Sequence, residues 1–340
     1  MSEKNTLQQL NAARVSGDDL AKHNAILAHA NTLLLSNQHI AAAQILDEAV
    51  DLHAKAERNV DEAHCLHLSA TAYRFGKQLD VAELRAQKAV ELAPSNTPIS
   101  VSSWTELGET LFAQGRFKEA SKCYQQALNH GKNTKILPKA QLTLLRRIAQ
   151  AQSASQSNTS AALTLRKAVV LAKTLNDTSI VIRVQIEEAT AWLSSTLPEQ
   201  AIQALKEAEV LSQQTGDLVA LADLEMIRST LAIREKDLVG AFEHASKARQ
   251  LALKAVDPMA YTTSSVAMSE IADLLNDRPT AYEVLAVGWA TLGDLMGNEV
   301  AQNTFAPKLQ MLVKKWGKEE FVQIKSEYEE RRRTMKRNPE

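Results

Sequence analysis

Apolar residues along this chain return at steps of three and four, the spacing that puts side chains on one face of an α-helix. Trp104, Leu107, Gly108 and Leu111 form one such set, and Phe117, Ala120, Tyr124 and Ala127 form a second just after it. Between them Gln114-Gly115-Arg116 reads as a turn. Two amphipathic helices joined by a tight connection are therefore expected here.

That helix pair is one member of a repeat. Ala42, Ala82, Ala120, Ala161, Ala201, Ala241 and Ala281 recur at spacings of 40, 38, 41, 40, 40 and 40. Seven residues after each stand Ala49, Ala89, Ala127, Ala168, Ala208, Ala248 and Gly288. Twelve residues before each stand Ala30, Ala70, Gly108, Ala149, Ala189, Ser229 and Ser269. Every residue in the three columns is small. Small side chains where helices cross let the axes approach to roughly 8–9 Å, with larger residues filling the grooves beside them. One such pair cannot bury its apolar face alone, so neighbouring pairs must stack. Pro138, Pro198, Pro258 and Pro279 fall near expected helix starts, where proline is tolerated.

The ends differ from the middle. Residues 1–20 are polar, with one short helix expected. Residues 300–336 carry two helical stretches, the second, from Trp316 to about Lys336, heavily charged. A stacked array needs a polar terminal helix over its last interface, so these stretches read as a cap. The expected division is a polar segment at 1–20, an array of about seven helix pairs at 21–293, and capping helices with a basic tail at 294–340.

Composition narrows the class. Of 340 residues, 45% are hydrophobic, which excludes a disordered chain. Aromatics are only 4%, with 11 glycines and 8 prolines, so helices packed through Ala and Leu fit better than a β-sandwich. Lys plus Arg is 39 against 40 for Asp plus Glu, so no global field draws the chain to nucleic acid or to a membrane surface. No apolar run approaches the roughly 18 residues a membrane helix needs. The first residues lack the cationic-then-apolar order of a secretory signal, so the expected address is the cytoplasm. Cys65 and Cys123 are far apart inside helical patterns, which suits buried packing residues in a reducing compartment.

Trp104, Leu107, Gly108, Gly115, Phe117, Ala120, Tyr124 and Ala127 resemble the tetratricopeptide signature in order and spacing. Pro94 occupies the proline position after the second row, whereas Lys132 stands there after the third. The resemblance covers roughly residues 20–293. Its period near 40 is that of long-helix variants such as kinesin light chain and the sensor regions of bacterial regulators. It implies a right-handed α-α superhelix, a tetratricopeptide solenoid, with partners held in a concave groove.

With the central alanine column numbered 20, positions 2, 5, 9 and 12 of each first helix line that groove in the resembling family. The candidate partner-binding residues so placed include Asn31, His64, His67, Arg74, Glu109, Phe112, Arg146, Gln150, Arg183, Asp223 and Glu270. They mix polar groups with isolated apolar ones, the texture of a peptide-binding surface. Cationic or ionisable nitrogen groups dominate the second to fifth repeats and acids gather in the last two, which places a partner's acids near Arg74, Arg146 and Arg183. The family's clamp for chaperone tails is a poor match: Asn31 fits it, but Leu27, Leu68, Ser102 and Glu106 stand at other clamp positions.

No phosphate loop, nucleophile elbow, H-E-x-x-H or C-x-x-C occurs, so no enzyme and no cofactor is expected. His64 and His67, three apart, could share a metal, but no third ligand stands near them in sequence and no metal site is expected. Arg331, Arg332, Arg333, Lys336 and Arg337 make a basic end that suits a helix C-terminus. The resulting expectation is a cytoplasmic adaptor or scaffold that binds a protein or extended peptide. The alternative is a regulatory sensor whose groove takes a signalling peptide or small molecule.

Overall fold

The computed structural model describes residues 2–337, with side chains described through residue 334. Lys336 and Arg337 of the basic end thus have side chains outside the described residues. Among the described residues every regular element is a helix.

The chain divides into two compact units, Met1–Asp177 and Thr178–Glu340. The first opens with α1 (Glu3–Ser16) and continues as four helix pairs. These are α2 (Asp19–Leu35) with α3 (His39–Lys55), and α4 (Asn59–Phe75) with α5 (Leu79–Leu92). Next come α6 (Pro98–Ala113) with α7 (Phe117–Asn133), and α8 (Pro138–Ala154) with α9 (Asn158–Lys173). The second unit holds α10 (Thr178–Leu193) with α11 (Gln200–Thr215), and α12 (Leu218–Arg234) with α13 (Leu238–Lys254). It ends with α14 (Pro258–Leu274) with α15 (Arg278–Met296), then α16 (Asn298–Trp316) and α17 (Lys318–Arg337). The fold is an all-α solenoid of seven helix pairs with capping helices.

The three small columns are the crossings. Every alanine of the central column is fully buried, and the columns on either side are buried throughout. At Gly108 a Cβ would stand 2.6 Å from the ring of Tyr124, so only glycine admits that tyrosine to the crossing. At Ser229 and Ser269 the hydroxyl instead donates across the crossing to the carbonyls of Ala241 and Ala281, each at 2.8 Å.

The joints repeat as regularly as the crossings. A residue in the left-handed region ends helix after helix, among them Asn37, Lys77, Gly115, Gly216, Lys236, Val256 and Asn276. The next N–H then returns to a carbonyl of the last turn, as from Gln78 to Tyr73 and from Asp237 to Ala232, both at 2.9 Å. This closure satisfies end carbonyls that the helix itself leaves unpaired. Glycine reaches the conformation freely, whereas other L-residues sacrifice about 1–2 kcal/mol there. In the second unit Asp217, Asp237, Asp257 and Asp277 follow these joints, and each carboxylate caps the first turn of the next helix.

Both ends are covered. Leu10 and Ala13 of α1 are buried, so the polar N-terminal segment is a packed helix. At the other end Phe305, Leu312 and Trp316 of α16, with Ile324 and Tyr328 of α17, close the core over Tyr282 and Leu285.

Candidate functional site

The first helices of the pairs present the candidate residues, and the two units present them differently. In the first unit Asn31 on α2 and Gln150 on α8 are exposed. His64, His67 and Arg74 on α4, Glu109 and Phe112 on α6, and Arg146 on α8 are half-buried. Phe112 packs edge-on against Phe117, with ring centroids 5.0 Å apart.

A line of charges joins these helices. Arg74 Nε lies 2.6 Å from Glu106 Oε1 and its Nη2 lies 3.1 Å from Oε2. Thr71 donates to the same carboxylate at 2.9 Å, and the Arg74 guanidinium also sits 4.6 Å from the Phe75 ring centre. Glu106 is buried, and these donors satisfy both of its carboxylate oxygens. Burial opposes the charge on Arg74, but the hydrogen bonds and the acids Glu106 and Glu109 outweigh it and raise its pKa. Further along, Arg147 Nε meets Glu109 at 3.0 Å. Burial, with the neighbouring His64 and Arg74, pushes the His67 imidazole down to about 4, so it is neutral near pH 7.

Arg74 therefore lies on the candidate face but is held by an acid of the next repeat. The repeat positions do not single out Glu106 or Arg147 as part of this face. One position past the groove set, each reaches back to the preceding first helix. The signal was the sign of their charge opposite Arg74 and Glu109.

In the second unit Arg183 on α10, Asp223 on α12 and Glu270 on α14 are exposed. Asp273, at the end of the same face, accepts from Trp316 Nε1 at 2.8 Å and pairs with Lys315, so it anchors the cap. The basic end is also tied down where it is described. Arg331 faces Glu283 at 3.7 Å, Arg333 faces Glu329 at 3.9 Å, and Arg332 lies 5.9 Å from the Tyr328 ring centre. A cleft of about 440 Å³ beside them is lined by Tyr282, Trp289, Leu309, Lys325 and Arg332, among others.

For metal-binding chemistry, the His64 and His67 rings stand 6.4 Å apart. A tighter set lies elsewhere: the ligand atoms of His23, His53 and Cys65 are all within 4.8 Å of one another. Both cysteines are free and buried. Among the described residues no helix is long and apolar enough to cross a membrane.

The chain matches the tetratricopeptide repeat family over residues 101–133, the segment that holds Trp104 through Ala127. A search of curated proteins by sequence finds no match. Three solved structures share the fold. A kinesin light chain array of nearly identical TPR-like repeats from Podosopora anserina is 21% identical, covers 56% of this chain and 95% of its own, and has a TM-score of 0.50. The apo quorum sensor NprR from B. thuringiensis is 15% identical, with 93% and 83% covered and a TM-score of 0.51. A signal transduction ATPase with a tetratricopeptide repeat sensor, from Pyrococcus horikoshii, is 15% identical, with 89% and 54% covered and a TM-score of 0.54. The chain thus carries a tetratricopeptide repeat and folds like the long-helix arrays of kinesin light chain and bacterial tetratricopeptide regulators.

Proposed function

We propose that this protein is a non-catalytic adaptor of the cytoplasm that holds a segment of another protein against the first-helix face of its N-terminal unit. The observation that carries this reading is the fixed array on α4, α6 and α8. Half-buried charged groups are held in place by acids and bases of the next repeat, beside the half-buried ring of Phe112. Side chains already ordered in this way lose little freedom when an extended peptide docks, and a half-buried aromatic supplies an anchor. His64, Arg146 and Gln150 complete the face. A partner's acids are best received near Arg146 and, on the second unit's own face, near Arg183.

The test is a native-extract pull-down with mass spectrometry, comparing the parent with a His64→Glu/Arg146→Glu variant shown by circular dichroism to stay helical. A partner held by the parent and lost by the variant supports the reading. A partner retained equally by both contradicts it.

A second reading is a sensor for a small anionic ligand, favoured by the cleft lined with Tyr282, Trp289 and Arg332. A compact ligand that raises the melting temperature without any protein partner, and loses that effect in Arg332→Glu, would support the sensor.

A further inference from the structure

Three helices of the first unit converge on one point with nitrogen and sulfur donors. His23 lies on α2, His53 on α3 and Cys65 on α4. His53 Nε2 stands 2.9 Å from His23 Nδ1, and Cys65 Sγ stands 4.0 Å from that same Nδ1. His53 and Cys65 are buried, while His23 is half-buried and opens the point to solvent.

A hydrogen bond between the two imidazoles, with the thiol as a bystander, accounts for only part of this. It leaves His53 Nδ1 buried without a hydrogen-bond partner, with its closest acid, Asp61 Oδ2, at 3.9 Å. Buried polar atoms are rarely left so. An ion on Nε2 would put the ring proton on Nδ1, facing Asp61. That is the carboxylate–histidine–metal arrangement by which ligating histidines are oriented. Tetrahedral coordination asks for separations of about 3.3 Å between nitrogens and about 3.6 Å between nitrogen and sulfur, so side-chain shifts of about 1 Å bring atoms that lie within 4.8 Å of one another into that geometry.

We propose that His23, His53 and Cys65 form a binding site for a single Zn²⁺ ion, with a fourth position open to solvent on the His23 side. Two imidazoles and a thiolate suit Zn²⁺ and exclude the oxygen-seeking Mg²⁺ and Ca²⁺. The thiolate offsets one of the ion's charges, and Asp61, which faces His53, offsets the other, while Glu62 is paired with Lys88. Burial, then His53, lowers the His23 pKa, against a smaller opposing pull from Asp61. Burial, then Asp61 and Glu62, pushes the Cys65 thiol up to about 12, so without metal it keeps its proton. On binding, the S–H bond breaks, a sulfur–zinc bond forms and the proton leaves to solvent, which makes affinity rise with pH. Such an ion ties the first helix pair to the second.

The test uses the full chain, free of any polyhistidine tag and stripped by chelator, titrated with Co²⁺ as a spectroscopic probe. The expected result is one equivalent bound, with the ligand-field bands of a tetrahedral ion and a thiolate-to-metal charge-transfer band. Cys65→Ala should abolish the charge-transfer band and Cys123→Ala should keep it. His23→Gln, at a half-buried position, should weaken binding by more than tenfold, and Asp61→Asn by about tenfold. Zn²⁺ should displace the probe and raise the melting temperature of the parent but not of His23→Gln. A parent without the charge-transfer band, a band that survives Cys65→Ala, or an unchanged affinity in His23→Gln would each overturn the proposal.

Discussion

In the unit of residues 1–177, charged side chains bridge one helix pair to the next. Asp47 of α3 holds Ser69 and Tyr73 of α4 and Arg85 of α5, Glu106 of α6 holds Arg74 of α4, and Glu109 of α6 holds Arg147 of α8. In the unit of residues 178–340 the joints and crossings carry polar chemistry as well. There Asp217, Asp237, Asp257 and Asp277 cap helices, and Ser229 and Ser269 bond across. Charged groups also bridge helices here: Arg228 with Glu209 and Glu225 and His244 with Glu225 between α11, α12 and α13, and Asp273 with Lys315 between α14 and α16. On the candidate face itself, Arg183, Asp223 and Glu270 stand exposed. The difference teaches that one repeat register can leave either a fixed, half-buried face or a solvated one. Among the described residues, the charges of α4 and α6 are preset by neighbours in the next pair.

The largest expected effect tests that contrast. Glu106→Ala strands Arg74 in a half-buried position and should cost about 3 kcal/mol by urea denaturation, as broken buried pairs do. Glu270→Ala, on the exposed face, should stay within about 0.5 kcal/mol. An equal loss in both would erase the distinction between the faces.

A comparable effect comes from acidity. The His67 imidazole takes a proton only near pH 4 when folded, against a usual value of 6.5, so the unfolded chain binds that proton first as pH falls. Its contribution is complete above pH 6.5 and is lost between 6.5 and 4, by about 3 kcal/mol in all. His67→Gln should flatten the stability profile of the parent in that window, and parallel profiles would show that His67 does not carry it.

Crossings come next. Gly108→Ala should lose about 1–3 kcal/mol from the clash with Tyr124, partly offset by about 1 kcal/mol of helix propensity. The smallest effect separates the joints. Asp237→Ala should cost about 1 kcal/mol through the lost cap. Gln78→Ala, at a joint without a side-chain cap, should change the melting temperature little.

The helix pairs were legible because a crossing demands a small residue whatever surrounds it, so Ala42 through Ala281 mark the register by themselves. The face was partly legible for the same reason: register fixes which positions stand on it. What register does not carry is pairing across repeats. Arg74 meets Glu106 only because successive first helices stack side by side, and nothing local to either residue announces it. His23, His53 and Cys65 are further still from any motif, since their convergence needs three helices and spacings set by stacking rather than by a ligand loop.

The most direct test of the central claim is hydrogen exchange on the full chain, with and without the partner recovered by pull-down. Slowed exchange on binding should fall on α4, α6 and α8, around His64, Glu109, Phe112 and Arg146, and should leave α5, α7 and α9 unchanged. Protection confined to those second helices, or to the second unit alone, would contradict the account.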